Sequence, residues 1–134
     1  MKVGLVGKPN AGKSTFFSAA TQAPAQIGDY PFTTINANKG MSHVTTPCAC
    51  NNFNITCNNC NDGTRLIPIE LIDVAGLVPG AHEGKGMGNQ FLDDLRQASV
   101  LIQIVDASGK TDLEGNSSSD SPPEKEVDFL KNEI

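Results

Sequence analysis

The chain has 134 residues, enough for one domain with a real core, and carries a net charge of −5 with a pI of about 4.8. That balance gives no footprint for a direct grip on nucleic acid. No apolar run reaches the length of a membrane span, and Met1-Lys2 leads straight into an apolar stretch with no room for a leader, so a cytoplasmic protein without a membrane partner is expected.

The first strand is expected at Lys2–Val6, apolar enough to be a buried parallel strand. Gly7-Lys8-Pro9-Asn10-Ala11-Gly12-Lys13-Ser14 follows and fits G-x-x-x-x-G-K-[S/T] without substitution. A helix is expected from Lys13 to Thr21, closed off by Pro24. Strand, Gly-rich loop and helix in that order are the context in which this motif binds phosphate. Gly7 and Gly12 are expected to let the backbone approach a polyphosphate where a Cβ would collide. Amides from Asn10 to Thr15 form the nest, Lys13 brings charge to the outer phosphates, and the Ser14 hydroxyl takes Mg²⁺.

Tyr30-Pro31-Phe32-Thr33-Thr34 reads, taken alone, as a surface loop. Behind a phosphate loop, a hydroxyl on a movable segment can complete Mg²⁺ coordination and sense the γ-phosphate. Thr34 is the first choice and Thr33 the reserve, with Tyr30 and Phe32 covering the nucleotide. Strands are expected at Lys39–Thr46 and Leu66–Ile72, the second with Pro68 marking an edge or bulge. It ends in Asp73-Val74-Ala75-Gly76, a D-x-x-G whose Asp holds Mg²⁺ and whose Gly amide reaches the γ-phosphate.

Gly80, Gly84, Gly86 and Gly88 suit a segment that orders with ligand. A helix at Asn89–Ala98 places Phe91, Leu95 and Ala98 on a core face, and a fourth strand is expected at Val100–Val105. Residues 107–123 read as a loop or linker. A last helix then begins with Ser121 as cap and shows Val127, Leu130 and Ile134 at helical spacing.

Cys48-x-Cys50 and Cys57-x-x-Cys60 fall in a hairpin insertion at about 47–61. In a cytosolic chain they are either a structural zinc knuckle, closed because four thiolates leave no open position, or four unligated thiols.

The phosphate loop, Tyr30-Pro31-Phe32-Thr33-Thr34-Ile35 and the run from Asp73 to Leu92 together resemble the Obg family of translation-factor-related GTPases, nearest its YchF-like branch. The resemblance covers nearly the whole chain. It implies a Ras-like α/β P-loop G domain, three-layered around a mostly parallel sheet. It also implies slow Mg²⁺-dependent hydrolysis of GTP or ATP and association with ribosomes or ribosome-associated factors. Nucleotide-binding residues carried over are Gly7 to Thr15, Phe32, Thr33, Thr34, Asp73 and Gly76, with Ser14, Thr34 and Asp73 on Mg²⁺.

Two departures stand out. No Asn-Lys-x-Asp follows the fourth strand, so the base is unread and the chain is expected to be the N-terminal portion of the domain, truncated before its last strands. Leu77 stands where Ras-type enzymes carry the Gln that orients water, which leaves His82 or Glu83 as candidates for that task, or K⁺ held by Asn10. For each of the two side chains a solvated loop residue is the plain alternative. A small P-loop kinase is disfavoured because Arg65 and Arg96 are the only arginines and cannot build a lid. A non-catalytic nucleotide-dependent binding module stays open because of Leu77.

Overall fold

The computed structural model describes residues 1–21, 38–80 and 88–134. The elements run β1 (Lys2–Val6), α1 (Lys13–Thr21), β2 (Asn38–Pro47), α2 (Cys50–Phe53), β3 (Thr64–Asp73), α3 (Gly88–Gln97), β4 (Val100–Gln103) and α4 (Pro123–Glu133). The four strands form one sheet in the order β2-β3-β1-β4. β1 is parallel to both β3 and β4, pairing Lys2 with Glu70 and Val3 with Val100, while β2 runs antiparallel to β3.

Alternation along β1 builds a core on each face of the sheet. Val3 and Leu5 face α1 and bury with Phe17, Ile69 and Leu71. Val6 faces the other way and buries with Ile72, Val74, Leu77, Phe91 and Leu130, under α3 and α4. The result is the expected mixed α/β, mostly parallel, three-layer arrangement. Each buried Phe or Leu contributes on the order of 1.5–3 kcal/mol by leaving water.

The antiparallel β2–β3 ladder extends from Asn38↔Asp73 to Pro47↔Thr64, longer at both ends than its sequence suggests. β1 reaches only Glu70–Asp73 of β3, so the remainder of the ladder projects beyond the parallel sheet. Pro68 lies in that projecting part, where its missing N–H costs no bond to β1. Val44, Leu66 and Ile67 are exposed there.

Two local readings are corrected by packing. α4 begins at Pro123 with Pro122 in the cap position and no side-chain cap bond, so Ser121 is not the cap; it is buried instead. The face that α4 buries is Glu126, Leu130 and Glu133, whereas Ile134 is exposed. The apolar count missed this because two of its three inward residues are carboxylates with specific partners. Residues 107–121, expected as a loop or linker, form a loop that folds back onto the phosphate loop at Lys8 and Asn10, held by a Thr111↔Ser117 bridge and an Asp112 turn.

Candidate nucleotide-binding site

β1 ends at Val6 and the chain turns through Gly7–Ser14 into α1. Gly7 has φ 153°, and a Cβ there would lie 2.4 Å from the Ile104 carbonyl oxygen. Ile104, the residue after β4, therefore already leaves no room for a side chain at this position. Gly12 differs: at φ 95° an added Cβ would meet nothing within 4 Å, so its surroundings are open for a ligand to approach the backbone. Asn10, at φ 59°, supplies another left-handed residue to the loop.

Lys13 is buried, and its ammonium donates to the Lys8 carbonyl at 2.8 Å. Burial pulls its pKa down to about 8, with the Asp73 charge opposing the shift. Asp73, at the end of β3, is fully buried and accepts from the Ser14 hydroxyl at 2.6 Å through Oδ2. Burial raises the pKa of its carboxyl, against the lowering effects of Ser14 and Lys13. Its Oδ1 is buried with no hydrogen-bond partner among the described residues. A hydroxyl and a carboxylate in contact, one carboxylate oxygen left over and an adjacent ammonium form a donor set that fits Mg²⁺ with a polyphosphate.

The segment after Asp73 is pinned to the loop. The Leu77 amide donates to the Gly7 carbonyl at 3.1 Å. Gly76 packs so closely that a Cβ would sit 2.9 Å from the backbone of Pro9. The Leu77 side chain is 1% exposed and belongs to the core with Phe91 and Leu130, so it points away from the phosphate loop.

Lys8 and Asn10 are held from behind. The Lys8 side chain is fully buried and does not face the loop's mouth. It meets Glu126 at 2.7 Å, donates to the Thr111 carbonyl at 2.6 Å and lies 3.8 Å from Asp106. The Asn10 amide donates to the Gly115 carbonyl at 3.0 Å, which leaves its own side-chain oxygen uncommitted to this bond. Asp106 is itself fixed by Ser108 and Thr111, which hold its carboxyl down at about 2.

Of the residues expected to act together, the structure brings Gly7 to Thr15, Asp73 and Gly76 into one place. Tyr30, Phe32, Thr33, Thr34, His82 and Glu83 lie outside the described residues. Sequence reasoning missed Asp106, Thr111, Gly115 and Glu126. The signal available was thin: a charged Lys8 inside the motif needs a partner, and Asp106 ends an apolar strand beside it.

Fold and site together define a P-loop nucleotide-binding domain. The model of a 50S ribosome-binding GTPase family matches residues 2–131. An uncharacterized GTP-binding protein of Methanocaldococcus jannaschii is 62% identical over 136 residues, covering 98% of this chain and 35% of that protein. The ribosome-binding ATPase YchF of Buchnera aphidicola subsp. Baizongia pistaciae is 44% identical over 110 residues, 78% of this chain and 28% of that protein. Among solved structures, a GTP-binding protein from Pyrococcus horikoshii OT3 superposes with a TM-score of 0.69 at 40% identity, over 100% of this chain and 32% of its own. The chain belongs to this family of P-loop GTPases, and it spans about a third of the length of these relatives. No helix among the described residues is long and apolar enough to cross a membrane.

Proposed function

We propose that this chain is the nucleotide-binding part of a cytoplasmic, ribosome-associated switch that hydrolyses GTP slowly with Mg²⁺. The observation that carries the reading is the Ser14–Asp73 contact of 2.6 Å beside the buried Lys13. Mg²⁺, when bound, would neutralise charge between the β- and γ-phosphates. Ser14 and Asp73 would hold it, and Thr34 would supply a third protein oxygen. Lys13 exchanges its bond to the Lys8 carbonyl for the phosphates. The Gly76 amide, seated against Pro9, reports whether the γ-phosphate is attached.

Leu77 is committed to the core, so the attacking water is oriented by another group: His82 or Glu83, or K⁺ on the side-chain oxygen of Asn10. That oxygen suits a cation because the amide nitrogen is already spent on Gly115. The family description and the name of the Buchnera relative support the ribosome as partner. That relative's name also supports ATP as the alternative substrate, since the base is chosen by residues other than the phosphate loop. Phosphate release from GTP and from ATP, with Mg²⁺ and with or without K⁺, tests the proposal. Slow release that Lys13→Ala abolishes is expected; release unchanged in that variant overturns it. Binding without any turnover would favour a nucleotide-dependent binding module.

A further inference from the structure

At the far end of the β2–β3 ladder, residues 48–63 form an insertion that buries no large hydrophobic side chain. Phe53 and Ile55 are 71% and 61% exposed, while Cys48 and Cys50 are buried. Its interior is sulfur. Cys50 opens the single turn of α2, and Cys57 and Cys60 lie on the following loop. The sulfurs of Cys48 and Cys57 are 3.6 Å apart, those of Cys50 and Cys60 3.5 Å, and those of Cys57 and Cys60 3.3 Å. All four lie within 4.8 Å of one another.

We propose that Cys48, Cys50, Cys57 and Cys60 bind one Zn²⁺ in a closed tetrahedral site that folds the tip of this hairpin. A tetrahedron with Zn–S bonds of about 2.3 Å has edges of about 3.8 Å, close to the separations observed. Two disulfides would draw the sulfurs together in pairs and give no reason for all four to converge. An iron–sulfur cluster, with sulfides between its irons, holds its cysteine sulfurs farther apart than a single ion does. The backbone supports the same centre. The Cys48 amide donates to the Gly63 carbonyl at 2.7 Å, and the Asn51 side chain donates to the same oxygen at 3.1 Å, closing the loop on itself.

Zinc binding replaces the thiol protons, which leave to solvent, and involves no change of oxidation state. Four thiolates leave no position for water or substrate, so the ion is structural. The site is also remote from the phosphate loop. Nine residue steps of β2 separate Pro47 from Asn38, which pairs with Asp73, a span of about 30 Å. The proposal therefore stands apart from the hydrolysis reading, and each can fail alone.

Metal analysis of the full chain, purified under reducing conditions without chelator, tests it. One zinc per chain is expected, released when a mercurial titrates the thiols and detected with a chelating dye. Cobalt(II) added to the stripped protein should give the intense visible bands and sulfur-to-metal charge-transfer bands of a four-sulfur tetrahedral site. Cys57→Ser and Cys60→Ser should lower zinc retention at least tenfold while nucleotide affinity changes less than about twofold. Should a variant fail to fold, metal content and the cobalt spectrum of the unaltered chain still decide. Absence of stoichiometric zinc, iron in its place, a cobalt spectrum lacking sulfur ligation, or a mass showing two disulfides in freshly reduced and dialysed protein would each overturn the site.

Discussion

Asp73 concentrates the chemistry of the candidate site in a single carboxylate. Its Oδ2 holds Ser14, its Oδ1 is buried without a partner among the described residues, and its charge opposes the desolvation of Lys13. Asp73→Asn keeps the shape and removes the charge, so the Mg²⁺ concentration needed for half-maximal nucleotide binding should rise at least tenfold; a magnesium titration at fixed nucleotide checks this. Lys13 gives a pH signature. Burial lowers its pKa from 10.5 to about 8, so between those values the unfolded chain binds more protons than the folded one. The ligand-free domain therefore gains stability from this residue as pH rises through that window. Binding of the phosphates needs the ammonium, so affinity should fall above about pH 8 with proton uptake on binding. Calorimetry in buffers of different ionisation enthalpy measures that uptake, and Lys13→Met should remove it. Leu77 answers to packing rather than catalysis. Leu77→Gln would bury an amide among Val6, Phe91 and Leu130, costing about 2–4 kcal/mol, and should not raise phosphate release.

α4 acts as a strut behind the site. Its Glu126 pairs with Lys8 at 2.7 Å and accepts from the Asp106 amide at 3.1 Å, and its Glu133 accepts from the Gly80 amide at 2.8 Å. One helix thus touches both the phosphate loop and the segment after Gly76. Removing one partner of a buried ion pair strands the other charge, so Lys8→Met or Glu126→Gln alone should cost about 3–5 kcal/mol. Lys8→Met with Glu126→Leu should recover much of that loss, which denaturant titration of the three variants will show. Most helices and strands were legible from apolar period and turn residues: β1, α1, β3 and α3 lie within two residues of their expected bounds. α4 was placed but its inward face was misjudged, because Glu126 and Glu133 are buried by partners distant in sequence. β4 stops at Gln103, two residues short of its expected end, since the sheet offers β1 partners only from Val100 to Gln103.

Across the whole molecule, the nucleotide site sits where β1 and β3 end, and the sulfur-lined tip lies at the far end of the long ladder. Ligand should stabilise the first without touching the second. Mg²⁺-nucleotide at about one hundred times its dissociation constant should add about 2.7 kcal/mol to unfolding of the body, read by thermal denaturation. Amide exchange at Asn51–Cys60 should stay unchanged. The phosphate loop, the D-x-x-G and the cysteine spacing were fixed by local residues, because backbone geometry and ligand chemistry act over a few positions and leave their mark in order along the chain. Tertiary structure alone decided that Gly7 is demanded by Ile104, that Leu77 belongs to the core and that residues 107–116 brace Lys8 and Asn10. The contacts of Gly7, Lys8 and Asn10 join segments about a hundred residues apart, where only the closed sheet brings a buried charge or a close-packed glycine to the group beside it.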